Sequence, residues 1–140
     1  MTPDRLFEAF SSFVLIGWLA LLLAPLRRSL TVNIARWVTA ILCGGYVVML
    51  ATGLAVGPGP PPGAGFDTLA GVRLLLSTRE ALLAGWVHYL AFDLFIGAWQ
   101  VEDAPAARIP HWLLLPCLLL TFLAGPVGLL LYLILKAARR

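Results

Sequence analysis

Apolar residues run along this chain in four long, nearly unbroken blocks, at Leu6–Pro25, Ile34–Val56, Ala81–Val101 and Ile109–Leu135. Each holds roughly the 20 apolar residues a helix needs to cross the hydrocarbon core of a bilayer. Lipid cannot satisfy backbone N–H and C=O groups, so each block is expected to close its hydrogen bonds as a helix. The links are unequal. Pro25–Asn33 reads as a short, doubly basic turn and Glu102–Arg108 as a short polar one, which makes antiparallel neighbours of spans one and two and of spans three and four. Between spans two and three, Gly57–Gly65 reads GPGPPPGAG, a polyproline-type tether. After it, the apolar spacing Phe66, Leu69, Val72, Leu76 suits a short helix lying in the interface. Ser77-Thr78-Arg79-Glu80 then forms a capping box, which starts the third span just after Ser77. The expected fold is all-α and membrane-integral: one domain over residues 1–140, with four transmembrane helices in an antiparallel bundle.

Composition strengthens this picture. The 140 residues are 61% hydrophobic and only 12% charged, too little charge to coat a water-facing surface and too apolar for disorder. The net charge of +3 does not indicate a nucleic-acid partner, because Arg27, Arg28, Lys136, Arg139 and Arg140 flank apolar blocks, where they meet lipid phosphates. Asp4 and Glu8, with no small-x-small site before Pro25, argue for a retained first span and against a cleaved signal. Cys43 and Cys117 sit far apart inside apolar blocks and show no metal or disulfide spacing. The side holding both termini and the middle loop carries six basic residues and the opposite side four. The positive-inside rule then puts both termini in the cytoplasm, in a bacterial inner membrane. Trp37, Trp99 and Trp112 fall at one level as an aromatic belt. The halves share no aligned polar pattern, which argues against an inverted-repeat transporter. The pattern leaves both a monomer and a homo-oligomer open.

The residue that stands out is Asp93, about 12 Å inside the third span. A carboxylate at that depth costs on the order of 2.5–3.5 kcal/mol. Two readings compete: a functional or proton-handling group, and a neutral Asp hydrogen-bonded across helices as a lock. At 100° per residue, Trp86, Tyr89, Asp93 and Gln100 share one arc of about 60° and form a polar-aromatic stripe. His88 lies about 140° round the helix and about 7.5 Å along it, aligned with Phe92, Phe95 and Trp99, so a His88–Asp93 dyad is not expected. His88 is either a ligand-facing, proton-accepting imidazole or one bonded to Ser11 or Ser12. Depth matching brings Thr39, Tyr46 and Thr121 near Asp93; a hydrogen bond from Tyr46 Oη or Thr121 Oγ1 would hold its carboxyl neutral. Gly44-Gly45 permits close approach of another helix or a ligand. Pro116 and Gly125-Pro126-Val127-Gly128 should kink or loosen the last span, bordering either a cavity or passive packing. Glu102, Asp103 and His111 bracket the last loop and read as a solvated turn in preference to a metal site. No HExxH, GxSxG, P-loop or CxxCH occurs, and no histidine pair spaced for haem. No cofactor is expected.

The phrases GWVHYLAFDLFIGAW, RIPHW and LLPCLLLTFLAGPVGLLLY, preceded by FDTLAGVRLLLSTREALLAGW, resemble the abscisic-acid-deficient-four-like family of small four-span membrane proteins, here its bacterial branch. The likeness is close over Phe66–Tyr132 and holds by pattern before it. The resemblance implies a carotenoid or related isoprenoid lipid as ligand. For plant members it implies neoxanthin-synthase chemistry, the isomerisation of an epoxycarotenoid to an allene, with an acid at the epoxide oxygen and a base at a polyene carbon. On that footing Asp93 and His88 are the candidate acid and base. Trp86, Tyr89, Phe92, Tyr46, Thr121 and Gly125 are the candidate ligand-lining residues. The rival is a non-catalytic assembly or accessory protein whose polar network only holds helices together.

Overall fold

A computed structural model describes residues 2–57 and 59–139. Met1, Pro58 and Arg140 lie outside the described residues, so Pro58 of the tether and Arg140 of the charge count are not placed. The chain folds into five helices: α1 (Pro3–Leu22), α2 (Ala24–Val56), α3 (Leu69–Leu75), α4 (Arg79–Asp103) and α5 (His111–Ala138). The described residues contain no strand. Four helices are long and apolar enough to cross a membrane, namely α1, α2 over Ala24–Gly53, α4 and α5.

The first correction falls at the start of α2. The expected turn over Pro25–Asn33 is helical, and the chain reverses around Leu23. Pro25 fits there because a helix's first residues need no N–H partner. Regular helix breaks at Arg27 (φ −154, ψ 78), and the Thr31 hydroxyl donates to the carbonyls of Arg27 and Arg28 at 3.2 and 3.0 Å. Polar residues signalled a loop here, yet the end of a membrane helix can carry them as well. The tether reaches α3 through Gly59 and Gly63, both at positive φ, where glycine is favoured. Thr68 caps α3, accepting from Gly71 N at 3.0 Å. Thr78, one residue later than the capping box suggested, caps α4, accepting from Ala81 N at 3.2 Å.

The centre of the assembly is α4, which packs on α1, α2 and α5. The register of α1 on α4 is read from Asp4 paired with Arg79, Trp86 Nε1 donating to Ser11 Oγ at 3.0 Å, and Gly17 facing Leu94. These pairs advance together, so α1 and α4 run parallel. By contrast, Arg36 meets Glu102 at 2.5 Å and the Tyr46 ring lies 5.7 Å from that of His88, so α2 runs antiparallel to α4. Glycines let the helices close up. A Cβ at Gly97 would lie 2.8 Å from the Trp18 ring, and one at Gly45 would lie 2.7 Å from Phe10. Val14, Leu21, Leu42, Val87 and Leu94 fill the core between these three helices.

The last helix departs most from expectation. Straight, α5 would separate Arg139 from Arg108 by roughly 40 Å at 1.5 Å per residue. Instead Arg139 Nη1 donates to the Arg108 carbonyl at 3.1 Å. The helix breaks at Ala124 (φ −155, ψ 58), just before Gly125-Pro126, and folds back on itself. Gly128 lies so close to Thr121 N and Cys117 O that only a hairpin accommodates the contact. Proline at 126 removes a backbone donor and clashes with the preceding turn, while glycines at 125 and 128 let the two arms touch. The returning arm is anchored on α4: Tyr132 Oη and Lys136 Nζ each donate to Asp103 Oδ2 at 2.6 Å, and Lys136 sits 5.6 Å over the Trp99 ring.

This hairpin corrects the expected topology. Lys136 and Arg139 lie beside Asp103 and Arg108, at the far end of α4 from the Asp4–Arg79 pair. The two ends of the described chain therefore sit at opposite ends of the bundle, not on one side. Sequence spacing treated Ile109–Leu135 as one crossing because its apolar length suffices for one.

Candidate functional site

Folding back leaves α5 too short to cover α4. Gln100 and Thr121, both fully buried, bond side chain to side chain at 3.1 Å. About two turns further along α4, the hairpin tip at Gly125 rests on Asp93. A Cβ at Gly125 would lie 2.8 Å from the Asp93 Cγ. The polar groups next to this carboxyl are the Gly125 backbone and the hydroxyl of Tyr89, one turn earlier on α4. Among the described residues, Asp93 Oδ2 is buried and has no hydrogen-bond partner. Asp93 thus stands about 15 Å from the Asp103 end of α4, half the depth of a hydrocarbon core.

Beyond the tip, where α5 no longer covers α4, the same face opens into a groove of about 640 Å³ between α1, α4 and the end of α3. That volume lies in the range of about 300–1,000 Å³ common for small-molecule sites. Phe7, Leu82, Trp86 and Tyr89 form its walls, and the Asp4–Arg79 pair stands at its mouth. Trp86 is held by its bond to Ser11 and packs between Phe7 at 5.5 Å and Tyr89 at 5.4 Å. Tyr89 belongs both to the groove and to the surroundings of Asp93, so it links the groove to the carboxyl.

Of the residues nominated from the sequence, Trp86, Tyr89, Asp93 and Gly125 come together here. The others do not join them. Thr121 is bonded to Gln100 and to the Cys117 carbonyl, one layer away from Asp93. Tyr46 and Phe92 flank His88, with ring centroids at 5.7 and 4.5 Å, on an exposed face of α4 toward α2. His88 is also parted from Ser11, whose hydroxyl serves Trp86. Glu102, Asp103 and His111 disperse to Arg36, to Tyr132 with Lys136, and to the Leu22 carbonyl. The groove residues on α1 were not singled out from the sequence. The parallel pairing of α1 with α4 brings Phe7 and Asp4 there, and a helical wheel of one span carries no signal of that.

Taken together, these features define a small polytopic helical membrane protein with a folded-back helical hairpin whose tip rests on a half-buried carboxyl beside an aromatic-walled groove. The ABA DEFICIENT 4-like family model matches residues 5–132, and the chain belongs to that family. No curated protein matches the chain. No solved structure matches it either.

Proposed function

We propose that the protein binds a carotenoid or related oxygenated isoprenoid lipid in the groove between α1 and α4 and isomerises it, with Asp93 as the proton donor. One observation carries this reading: among the described residues Asp93 Oδ2 is buried without a partner, next to Tyr89, which lines an open groove. A carboxyl serving only to lock helices would have its hydrogen bonds made, as Gln100 and Thr121 do. Phe7, Trp86 and Tyr89 supply flat apolar surfaces suited to a polyene. A carboxyl desolvated by the hairpin tip can be held as the acid until an oxygen atom of the ligand arrives. Giving its proton to an epoxide oxygen opens the C–O bond and leaves a carboxylate, and loss of a proton from the adjacent polyene carbon completes the double bond. Those two positions are neighbours on the ligand, so the same carboxyl can take back the second proton. The reaction has no net redox change. His88 lies on another face and has no step in this scheme.

The test is to purify the protein from its native host, record its absorption and identify the extracted lipid. A polyene spectrum with an oxygenated isoprenoid is expected, as is an Asp93→Asn protein that keeps the pigment but loses turnover. Full activity of Asp93→Asn would sink the acid role. Persistent absence of any bound isoprenoid, with reduced thermal stability of Asp93→Asn, would support the accessory-protein reading instead.

A further inference from the structure

The break at Arg27 creates a second concavity at the other end of the bundle. Arg27, Arg28, Ser29, Leu30 and Asn33 surround an open depression of about 520 Å³. Among the described residues, neither guanidinium has an ion-pair or hydrogen-bond partner, and the Ser29 and Asn33 side chains are likewise free. Every other basic group at this end is engaged or lies apart from the depression. Arg36 is paired with Glu102, Lys136 with Asp103, and Arg139 is bonded to the Arg108 carbonyl. Among the described residues, the two side-chain carboxylates of this end, Glu102 and Asp103, are therefore already used, and neither lines the depression. A continuous α-helix would turn residues 27 and 28 about 100° apart and away from one another. The regular helix breaks at Arg27, with the Arg27 and Arg28 carbonyls tied back by Thr31, and Arg27 and Arg28 line the same depression as the neutral donors Ser29 and Asn33.

The depth of the depression narrows the occupant. Arg27 lies nearly three helical turns beyond Trp37, an exposed tryptophan of the aromatic belt. This is the headgroup layer, outside the hydrocarbon core. The whole end is basic. Arg27, Arg28, Arg36, Arg108, Lys136 and Arg139 stand against Glu102 and Asp103, whereas the opposite end has Arg5, Arg73 and Arg79 against Asp4, Glu8, Asp67 and Glu80. We propose that the Arg27 break forms a specific binding site for the phosphate of an anionic lipid headgroup, with Arg27 and Arg28 bonding the phosphate and Ser29 and Asn33 bonding its oxygens or the headgroup hydroxyls. Two guanidiniums supply charge and planar donor pairs that fit a phosphate, and the neutral donors make the site one of defined stoichiometry in place of a diffuse attraction.

The site is tested on the full-length protein by native mass spectrometry from detergent, titrating phosphatidylglycerol, phosphatidylcholine or inorganic phosphate. One retained phosphatidylglycerol is expected, with phosphatidylcholine held far more weakly. The Arg27→Gln/Arg28→Gln protein should bind phosphatidylglycerol about 25-fold more weakly, from roughly fivefold for each basic residue beside an anionic surface. Both side chains are exposed and unpaired, so helix content by circular dichroism should be unchanged. Ser29→Ala, which leaves the charge intact, should weaken phosphatidylglycerol and spare phosphatidylcholine. Arg139→Gln, at the same end, should change binding less than twofold. Equal losses for Arg139→Gln and the double variant would overturn the proposal in favour of diffuse attraction. Equal retention of phosphatidylcholine, or displacement of the lipid by millimolar inorganic phosphate, would overturn it as well.

Discussion

Replacing Gly128 with alanine probes the feature on which the rest of the architecture depends, the folding back of α5. A Cβ at this position would strike Thr121 N and Oγ1 and lie 2.5 Å from the Cys117 carbonyl oxygen. Two of those atoms are backbone, so no side chain can rotate away; the arms of the hairpin must part. Overpacking of this kind typically costs about 1–3 kcal/mol, and contact with backbone places Gly128→Ala at about 3 kcal/mol or above. For a chain of this length that is roughly 8–12 °C in Tm. Gly44→Ala is the matched control, since a Cβ there meets nothing within 4 Å and alanine is the better helix former by about 0.5–1 kcal/mol. Thermal unfolding in detergent reads both variants. A second assay reads the hairpin itself: spin labels at cysteines replacing Arg108 and Arg139, in a protein with Cys43 and Cys117 changed to alanine, should report a short distance. In the Gly128→Ala protein that distance should lengthen or broaden. An unchanged Tm in Gly128→Ala, or a parent separation near the roughly 40 Å of a straight helix, would refute the folded-back arrangement.

Other perturbations sort the polar contacts by burial. Thr121→Val alone should destabilise by about 1–3 kcal/mol, because it strands the fully buried Gln100; Gln100→Leu/Thr121→Val should restore most of that loss in the same melting assay. Lys136→Gln should lower Tm measurably, since its pair with Asp103 is about one-fifth exposed and anchors the returning arm. Glu102→Gln should shift stability by less than about 1 kcal/mol, the Arg36 pair being half exposed. With six described basic residues at the Arg139 end against three at the Asp4 end, a reporter fused after Arg139 should be cytoplasmic and one fused before Pro3 external. Both reporters on one side would contradict the hairpin topology.

Much of the fold was legible in residue pattern alone. The apolar blocks located the long helices, the GPGPPPGAG run located the tether, and the 100° rule put Trp86, Tyr89, Asp93 and Gln100 on one face, which the structure turns toward α5 and the groove. Hydropathy gives length, however, and says nothing of direction. The Gly125-Pro126-Val127-Gly128 run stood out as a kink, but whether a kink bends a helix slightly or reverses it depends on contacts with distant residues. Here those are Asp103 and Arg108, which hold Tyr132, Lys136 and Arg139. Depth matching failed for Thr121 and Tyr46 for a related reason. It assumed four straight crossings, whereas α5 turns back at mid-depth, and Tyr46 packs on the face of α4 that carries His88.

The reversal of α5 also explains how a membrane bundle this small can keep a carboxyl both half-buried and reachable. Four straight helices would cover Asp93 along its whole face, and a ligand could reach it only by parting them. A hairpin that stops at Gly125 covers Asp93 from one side and leaves Trp86, Tyr89 and Phe7 bare below it. Desolvation and access, which oppose each other in a continuous bundle, are thereby assigned to two different stretches of the same helix face. The sequence features that permit this are short: a proline that breaks the helix, two glycines that let its arms and Asp93 approach, and an anchored Tyr132 and Lys136 at the return. Loosening that anchor should therefore act on the groove as well as on stability. Lys136→Gln should lower both the affinity for a polyene ligand and Tm, although Lys136 lies at the far end of α4 from the groove mouth. A variant with reduced Tm but unaltered ligand affinity would show that the tip keeps its seat on Asp93 without the anchor.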